Sequence, residues 1–505
     1  MGIISTIRRW AGKVYGYLYE KLLATAKKEF KVTPLNSSEV DNVISECARA
    51  YAGTPSWIDK DDDITTVNFA SMICQEVARL TTLAIGISLE GGARADWMQS
   101  KIDECYFQLR HWVEYGCAYG TIALKLDGEG NVSCMIPGNF AATGQENARI
   151  TAAVFKDEAR EGDKYYTRFE YHRFVPLEGE DFEPIGPMTV LAEEREETDE
   201  EVEERVYAVT NITYCSTSQD SIGQKVPIES TPWAGMAPEV RINNLDQPLF
   251  AIFRMPNANN VDVGSPYGLP IFFNALEELR ALDYAYSRNA TEIYDSKRTV
   301  IIDSDKLFMS GLPVSELENL DARVSQMGLP KFVKAVSSGS TRESLYEEIN
   351  PTLNTDMRLT GINHLLSQIG YKAGFSNGYF VMDEKTGMMT ATQVESDDRR
   401  TIQTIKDVRD QFQETLDQLF YAMDVIADLY ELAPESPYEV TYDFGDIDYN
   451  LEEDRARWWQ YVTAQKVPAW MYFVKFEGMT EEEAKAMVEE ATPEQPELFG
   501  GPGML

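Results

Sequence analysis

Apolar residues recur at intervals of three and four between positions 390 and 432, a stretch with no glycine or proline inside it. That spacing places one apolar stripe along one face of a helix. The stripe consists of Val394, Ile402, Ile405, Val408, Phe412, Leu416, Leu419, Met423, Ile426 and Leu429. At 1.5 Å per residue the helix would be roughly 60 Å long, which exceeds what an ordinary domain needs. The pattern therefore predicts a long helix in a protein built to span a distance.

The same spacing predicts several helices in the first quarter of the chain. The predicted helical segments are 1–30, 38–51, 65–89 and 96–119. Turn signals at Pro34 and Asn36 precede the second of them. In the last segment Phe107, Trp112 and Val113 are the expected core residues.

The period changes to two after position 120, which predicts β-structure over 120–260. Two hairpins are expected, one turning at 127–130 and the other at 161–163. An acidic run at 193–205 is interpreted as a solvated loop, and a strand is expected over 206–216.

A second long helix is predicted after Gly268, followed by a small β module and a further helix. The extended pieces of the module are 299–308 and 346–353, separated by a polar stretch at 309–345. The returning helix is expected over 355–374. The order is thus helix, small β module, helix.

Composition and charge narrow the class of protein. The 505 residues are 43% apolar and 26% charged, an ordinary globular balance. No stretch approaches the roughly 18 apolar residues of a membrane span, and the N-terminus lacks the apolar core of a signal peptide. The six cysteines are scattered singly and are expected to be reduced thiols. The net charge of −37 opposes tight binding of a polyanion, so DNA that meets this protein should slide past it.

Signals of metal binding and catalysis are weak. Residues 446–452 resemble the start of a calcium loop, but Leu451 replaces the glycine of the turn and Arg457 the bidentate acid. The acidic residues between 443 and 454 could form a nuclease-like carboxylate cluster, but a solvated acidic helix start is the favoured interpretation. Its members are Asp443, Asp446, Asp448, Glu452, Glu453 and Asp454.

Other functional motifs are incomplete. The three histidines, His111, His172 and His364, are far apart and have no matched Ser or Cys motif. The start Met1-Gly2 with Thr6 fits a myristoylation pattern. No GxxxxGK[ST] motif occurs, which argues against ATP hydrolysis by this chain.

Four stretches, in this order, resemble the portal (head-to-tail connector) proteins of tailed bacteriophages, in the lineage infecting Gram-positive bacteria. They are 153–174 (AVFKDEAREGDKYYTRFEYHRF), 265–303 (SPYGLPIFFNALEELRALDYAYSRNATEIYDSKRTVIID), 370–405 (beginning GYKAGFSNGYFVMDEKTG) and 443–491 (beginning DFGDIDYNLEEDRARWWQYV). None is a catalytic signature. The resemblance rests on their co-occurrence and covers nearly the whole chain.

The resemblance implies an α+β portal-type fold with long wing and stem helices, a β-rich wing insert and a small α/β clip. Its regions would be a wing at 1–267 (helical in 1–119, β-rich in 120–260), stem helices at 268–298 and 354–374, a clip at 299–353, a tunnel loop at 375–389, a long wing helix at 390–432, and crown-side helices with a flexible tail at 433–505. A stem helix should be apolar around much of its circumference. Residues Phe272, Phe273, Leu276, Leu279, Leu282, Tyr284 and Tyr286 meet that expectation.

The resemblance also implies a function without catalysis, cofactor or metal. A ring, usually of twelve subunits, would occupy one vertex of the virion capsid after assembly in the bacterial cytoplasm. It would initiate procapsid assembly with the major capsid and scaffolding proteins, dock terminase during packaging, and then bind head-completion or adaptor proteins. Double-stranded DNA would pass in and out through the channel without sequence-specific contacts.

Two sets of residues follow from the implied regions. The candidate DNA-channel residues are Lys372, Asn377, Gly378, Lys385 and Gly387. The candidate partner-binding residues of the clip are Lys306, Glu316, Glu318, Arg323, Lys331 and Lys334. Acidity of the channel wall and mere solubility are equally good explanations of the charge. The alternatives to a portal are a metal-dependent capsid-associated nuclease and a helical adaptor that forms no ring.

Overall fold

The computed structural model contains both helices and sheets, which confirms the α+β class. The residues it describes are 22–58, 64–176, 205–219, 221–295, 299–303, 332–336, 346–349, 354–381, 391–445, 451–464, 466–477 and 479–491. The chain divides into two compact units, Met1–Phe444 and Gly445–Leu505.

Helices dominate both units. Among the described residues of the first unit, the helices are α1 (Ser38–Tyr51), α2 (Phe69–Thr81), α3 (Ala93–Tyr119), α4 (Leu276–Asp295), α5 (Thr355–Lys372) and α6 (Ala391–Leu429). Those of the second unit are α7 (Leu451–Thr463), α8 (Ala469–Glu477) and α9 (Glu481–Ala491). A helical stretch over 22–30 precedes α1 and ends in the π-helical turn Ala26–Phe30.

Fourteen strands of the described residues form four sheets in the first unit. The strands are β1 (Gly86–Gly91), β2 (Thr121–Leu126), β3 (Val132–Met135), β4 (Phe140–Glu146), β5 (Arg149–Glu161), β6 (Lys164–Pro176), β7 (Arg205–Ser216), β8 (Gln224–Val226), β9 (Glu239–Ile242), β10 (Phe250–Arg254), β11 (Thr299–Asp303), β12 (Phe332–Val336), β13 (Tyr346–Ile349) and β14 (Tyr438–Asp443). The largest sheet has the order β4-β5-β6-β7-β8, with β9 also paired to β7. The smaller sheets have the orders β10-β2-β3, β12-β11-β13 and β1-β14.

Both faces of the six-stranded sheet are covered. On one face its Phe140 and Phe155 join Phe250 of β10 and Ile44 of α1 in a common core. On the other face the helical stretch 22–30 packs against the sheet. Apolar side chains alternate along the strands to serve both cores.

The long helix α6 lies across the first unit and confirms the strongest prediction from the sequence. Its apolar stripe is buried from Ile405 to Ile426. The helix packs on β10, β2, α2 and α3, and Phe412 meets Phe253 of β10 with ring centroids 5.5 Å apart. The stripe that the spacing predicted is therefore a central part of the core.

Other local predictions are also confirmed. Helix α1 has the bounds expected from the sequence, and α3 and α5 match within a few residues. The two hairpins turn where glycine and acidic residues indicated, between β2 and β3 and between β5 and β6.

Three predictions about local structure were wrong. The segment 65–89 is helical only over Phe69–Thr81, because the residues from Gly86 pair as β1 with β14. The polar stretch 309–345 contains the strand β12. Phe107 is 86% exposed, since the buried stripe of α3 runs through Leu109, Trp112 and Val113 and passes it by.

The helix α4 begins at Leu276 rather than directly after Gly268. Pro270 disfavours helical geometry in the residue before it. The preceding segment instead closes the end of α3, because Ile271 N donates to Cys117 O at 3.0 Å. Gly268 also approaches Gly120 so closely that an added Cβ would lie 2.7 Å from its carbonyl oxygen.

Two clusters of charged groups in the first unit each surround a buried cation. In one, Arg94 of α3 pairs with the carboxylates of Asp424 and Asp428 on α6. Its guanidinium also donates to the carbonyl oxygens of Asp424 at 2.8 Å and Ala433 at 2.9 Å. The cluster fixes the start of α3 to the end of α6.

The second cluster lies between β2 and the six-stranded sheet. Lys125 Nζ is 2.6 Å from Asp157 Oδ2 and 2.5 Å from Glu170 Oε2. Arg168 bridges the same two carboxylates at 2.6 and 3.0 Å, and His172 Nε2 lies 3.1 Å from Glu170 Oε1. Burial opposes ionisation of Glu170, but Lys125, His172 and Arg168 hold its pKa well below the usual value.

Substitution of Gly116 by alanine tests the packing between α3 and β10. A Cβ at Gly116 would lie 2.2 Å from Cε1 of the buried Phe253. We expect Gly116→Ala to lower the free energy of unfolding by about 1–3 kcal/mol, as overpacked cores do. Urea unfolding of both proteins measures the difference.

The matched control for Gly116→Ala is Gly361→Ala in α5. An added Cβ at Gly361 meets nothing within 4 Å, so only helix propensity changes. That variant should gain about 0.5–1 kcal/mol. Equal stability of the two variants would contradict the close approach of α3 to Phe253.

Candidate functional site

Helices α4 and α5 form an antiparallel pair, with an ion pair at each end. Lys372, the last residue of α5, lies 2.6 Å from Glu278 in the first turn of α4. Arg358 near the start of α5 pairs with Glu292 near the end of α4. The two helices therefore run side by side over most of their length.

The small sheet joins this pair of helices at one end. The strand β11 follows α4, and β13 precedes α5. Within the sheet β11 is central, parallel to β12 and antiparallel to β13. Lys334 of the predicted clip set lies in β12, in register with Ile301. The other members, Lys306, Glu316, Glu318, Arg323 and Lys331, lie outside the described residues.

The first half of α4 is fixed to the body of the first unit by a buried carboxylate. Asp283 accepts hydrogen bonds from Trp57 Nε1 at 2.9 Å and from Val67 N at 2.8 Å. One turn later, Ser287 Oγ accepts from Thr65 N at 2.9 Å. Burial raises the pKa of Asp283. These contacts hold the segments around residues 57 and 67 against α4.

The loop after α5 begins with residues anchored to α6. Gly374 has φ +94°, and its carbonyl oxygen accepts from Thr404 Oγ1 at 2.8 Å. Ser376 N donates to Thr401 Oγ1 at 2.9 Å, and both side chains are buried. The path from α5 to the predicted tunnel loop is therefore set by contacts with the long helix.

An aromatic cluster supports the next part of the loop. The ring centroids of Phe375, Tyr379 and Phe380 lie within 4.9 Å of one another. The ring centroid of Phe380 is also 5.1 Å from that of Phe69 in α2. Tyr379 OH donates to the carboxylate of Glu76. Hydrogen bonds from Arg79 chiefly hold the pKa of Glu76 below its usual value.

Two of the predicted channel residues form a turn at the surface of this cluster. Ser367 Oγ donates to the Asn377 side-chain oxygen and accepts from Gly378 N at 3.1 Å. Gly378 has φ +77°, a conformation that favours glycine. Asn377 is exposed. Lys385 and Gly387 lie outside the described residues.

The remaining channel residue, Lys372, is paired with Glu278 at 2.6 Å. The sequence analysis names Lys372 as a candidate channel residue. The structure shows that its ammonium group also links α5 to α4. An acidic residue three or four positions from Lys372 would have indicated an ion pair within α5. The partner, Glu278, lies on α4 instead.

Reversal of the charge at position 372 tests this role. Lys372→Glu places two carboxylates together, and we expect a loss of about 0.5–1 kcal/mol in the free energy of unfolding, since the pair is partly exposed. The double variant Lys372→Glu/Glu278→Lys should recover most of that loss in the same urea titration. Absence of recovery would mean that the pair contributes no coupling energy.

The three histidines considered for catalysis lie on separate elements. His111 lies in α3, His172 is buried in β6 against Tyr207, and His364 lies in α5. Asp446 and Asp448, and the side chains of Glu452, Glu453 and Asp454, fall outside what the structure describes. Within the described part of the chain no group of His, Cys, Asp or Glu is arranged to hold a metal ion.

All six cysteines are free, and burial raises the pKa values of Cys47, Cys74 and Cys117. Thiols in such surroundings are poor nucleophiles. None of the described helices is long and apolar enough to cross a membrane.

Comparison of the chain with models of protein families, and with curated proteins, gave no match.

Proposed function

We propose that this chain is the subunit of a phage portal, a ring that conducts double-stranded DNA into and out of a capsid. One observation carries the proposal: two antiparallel helices flank a small sheet in the chain order, and the second helix is followed by an anchored loop and a long core helix. That order matches the stem, clip, tunnel loop and wing helix which the sequence resemblance implies.

Exposed apolar side chains on the helix pair support a role in assembly. In the single chain Tyr286 of α4 is 43% exposed, Ile293 of α4 is 54% exposed and Met357 of α5 is 77% exposed. Contiguous exposed apolar patches mark contacts with other molecules, and these side chains lie on two helices that pack against each other. In a ring each pair of helices has a neighbour on either side.

The chemistry of the described residues supports a conduit rather than an enzyme. The charge of −37 disfavours tight binding to phosphates, and a channel must release the duplex at every step. The turn at Asn377 and Gly378 offers polar atoms and no formal charge. Such a surface suits contact with a moving duplex.

The proposed partners follow from the proposed regions. The small sheet would dock terminase during packaging and head-completion or adaptor proteins afterwards. The wing would contact the major capsid and scaffolding proteins during procapsid assembly at one vertex, in the bacterial cytoplasm.

The native mass of the purified full chain tests the proposal, measured by light scattering after size exclusion. We expect a closed ring of about twelve chains, with a central hole in electron-microscope images of the same peak. A monomer that never closes, even at high concentration, would overturn the proposal and favour the adaptor. DNA cleavage that requires divalent metal and is lost in Asp446→Asn would favour the nuclease.

A further inference from the structure

The turn that follows α5 contains the chain's single Asn-Gly pair, Asn377-Gly378. Asn377 is exposed, and an added Cβ at Gly378 would meet nothing within 4 Å. The side-chain amide of an asparagine can be attacked by the backbone nitrogen of the next residue. Glycine obstructs that attack least, because it has no side chain. Asparagine is among the thermolabile residues of proteins, so the pair is a candidate site of chemical modification.

The hydroxyl of Ser367 contacts both groups that would react. Its Oγ donates a hydrogen bond to Oδ1 of Asn377 and accepts one from Gly378 N at 3.1 Å. Because both bonds meet at one oxygen atom, the side-chain carbonyl of Asn377 and the backbone amide of Gly378 are held beside each other. A hydroxyl can donate and accept at the same time. Ser367 is thus placed to pass a proton from the attacking nitrogen to the carbonyl oxygen.

The surrounding structure holds this arrangement in place. Tyr379 N donates to Ser376 O at 3.2 Å and closes a turn around Asn377 and Gly378. Gly378 has φ +77°, as the third residue of a type II turn requires. The side chain of Ser376 is buried and accepts a hydrogen bond from Thr401 Oγ1 at 3.0 Å. Reacting groups that are fixed near each other in advance lose less entropy on the way to the transition state.

We propose that Asn377 is a site of spontaneous deamidation and that the Ser367 hydroxyl promotes the reaction. The reaction takes place within a single chain and does not depend on the proposed ring. Ser367 lies in α5 beside the buried Leu366, so its hydroxyl is carried by a packed helix. Serine hydroxyls inside helices often bond to a carbonyl oxygen of the preceding turn. The bonds of the Ser367 hydroxyl to Asn377 and Gly378 are the observation that carries the proposal.

The first step closes a ring between the two residues. Gly378 N attacks Cγ of Asn377 and a C–N bond forms. The N–H proton passes to Ser367 Oγ, and the proton of that hydroxyl passes to Oδ1. The tetrahedral intermediate then returns a proton through the same hydroxyl to the amide nitrogen, whose bond to Cγ breaks as ammonia leaves. The product is a succinimide, and Ser367 is unchanged at the end. Proton transfer by a positioned group accelerates such steps.

Water completes the reaction by adding to a carbonyl of the succinimide. Opening of one C–N bond gives aspartate, and opening of the other gives isoaspartate. Either product places one negative charge on the exposed surface of the turn, in a chain whose net charge is already −37. Isoaspartate also adds a methylene to the backbone before Gly378, which alters the path of the chain to Tyr379 in the aromatic cluster.

Peptide mapping of the full chain by mass spectrometry tests the proposal. After incubation in neutral buffer we expect a carboxyl in place of the Asn377 amide, and an isoaspartyl methyltransferase should methylate the same peptide. Ser367→Ala should slow the reaction about tenfold, the effect of one lost hydrogen bond. Ser367→Thr keeps a hydroxyl and should react at close to the wild-type rate. The matched control is Gln368→Ala, at the exposed neighbouring position of α5, and it should also react like wild type. Far-ultraviolet circular dichroism checks that all variants fold.

Three results would overturn the inference. A rate in Ser367→Ala that equals or exceeds the wild-type rate would show that the hydroxyl does not promote the reaction. Aspartate without isoaspartate would exclude the succinimide. Faster conversion of Asn377 in urea than in the folded chain would show that the turn protects the amide. A wild-type monomer that deamidates at Asn377 would support the inference and overturn the proposed function, whereas a ring with an intact Asn377 would do the reverse.

Discussion

Arg94→Met is expected to lower the free energy of unfolding of the first unit by about 1–3 kcal/mol, because it removes the buried donor of hydrogen bonds to two carboxylates that are each about one third exposed. Asp424 and Asp428 would then face each other and lose the guanidinium that both contact. The carbonyl oxygens of Asp424 and Ala433 would lose their donors as well. Urea unfolding followed by tryptophan fluorescence measures the loss.

The loss in Arg94→Met should depend on pH in a defined direction. Burial raises the pKa of Asp424, and Arg94 opposes that shift. Without Arg94 the folded-state pKa rises further above the unfolded value, so stability is lost as the pH rises through it. The deficit relative to wild type should therefore be smaller near about pH 4 than near about pH 7.

The control for Arg94 is Arg288→Met, at an exposed position of α4. A surface substitution of this kind should change stability by no more than about 0.5 kcal/mol. An equal effect of the two substitutions would show that the Arg94 cluster contributes nothing specific.

Lys125→Met is expected to destabilise the first unit by about 3–5 kcal/mol through the second buried cluster. The substitution removes the cation that lies 2.6 Å from Asp157 and 2.5 Å from Glu170. Arg168 then remains to bridge the two carboxylates, with His172 beside Glu170. The double variant Lys125→Met/Glu170→Gln should recover part of the loss, because it also removes one buried charge.

The pH dependence of wild type and Lys125→Met should also differ. The folded-state pKa of Glu170 lies well below its usual value. The contribution of this group to stability is therefore present above its unfolded-state pKa and is lost as the pH falls through its folded-state pKa. In Lys125→Met burial faces less opposition and the pKa of Glu170 rises. The two unfolding free energies should therefore converge in acid.

Lys164→Met provides the control for Lys125, since Lys164 is exposed at the end of β6 in the same sheet. It should leave the urea midpoint nearly unchanged. If the difference between wild type and Lys125→Met were constant from neutral to acid pH, the charge on Glu170 would not be its cause.

The candidate site could be located from the sequence only in part. The resemblance places Asn377 and Gly378 in the implied tunnel loop, and the turn that they form against Ser367 is seen only in the structure. The ion pair of Lys372 with Glu278 could not be predicted, because the two residues are 94 positions apart. Helical spacing predicts which residues of α5 share a face. Only the tertiary packing shows which of its faces is exposed.

Local elements whose signal repeats over many residues can be predicted from the sequence. The stripe of α6, the bounds of α1 and the turns of the two hairpins all follow from periodicity and turn chemistry. Tertiary structure alone decided the pairing of β1 with β14, the burial of Arg94 and Lys125, and the exposure of Phe107. Periodicity is a property of neighbouring residues, whereas burial depends on partners tens to hundreds of positions away. Arg94 and Lys125 look like surface residues in the sequence, and they are tolerated inside because distant carboxylates surround them.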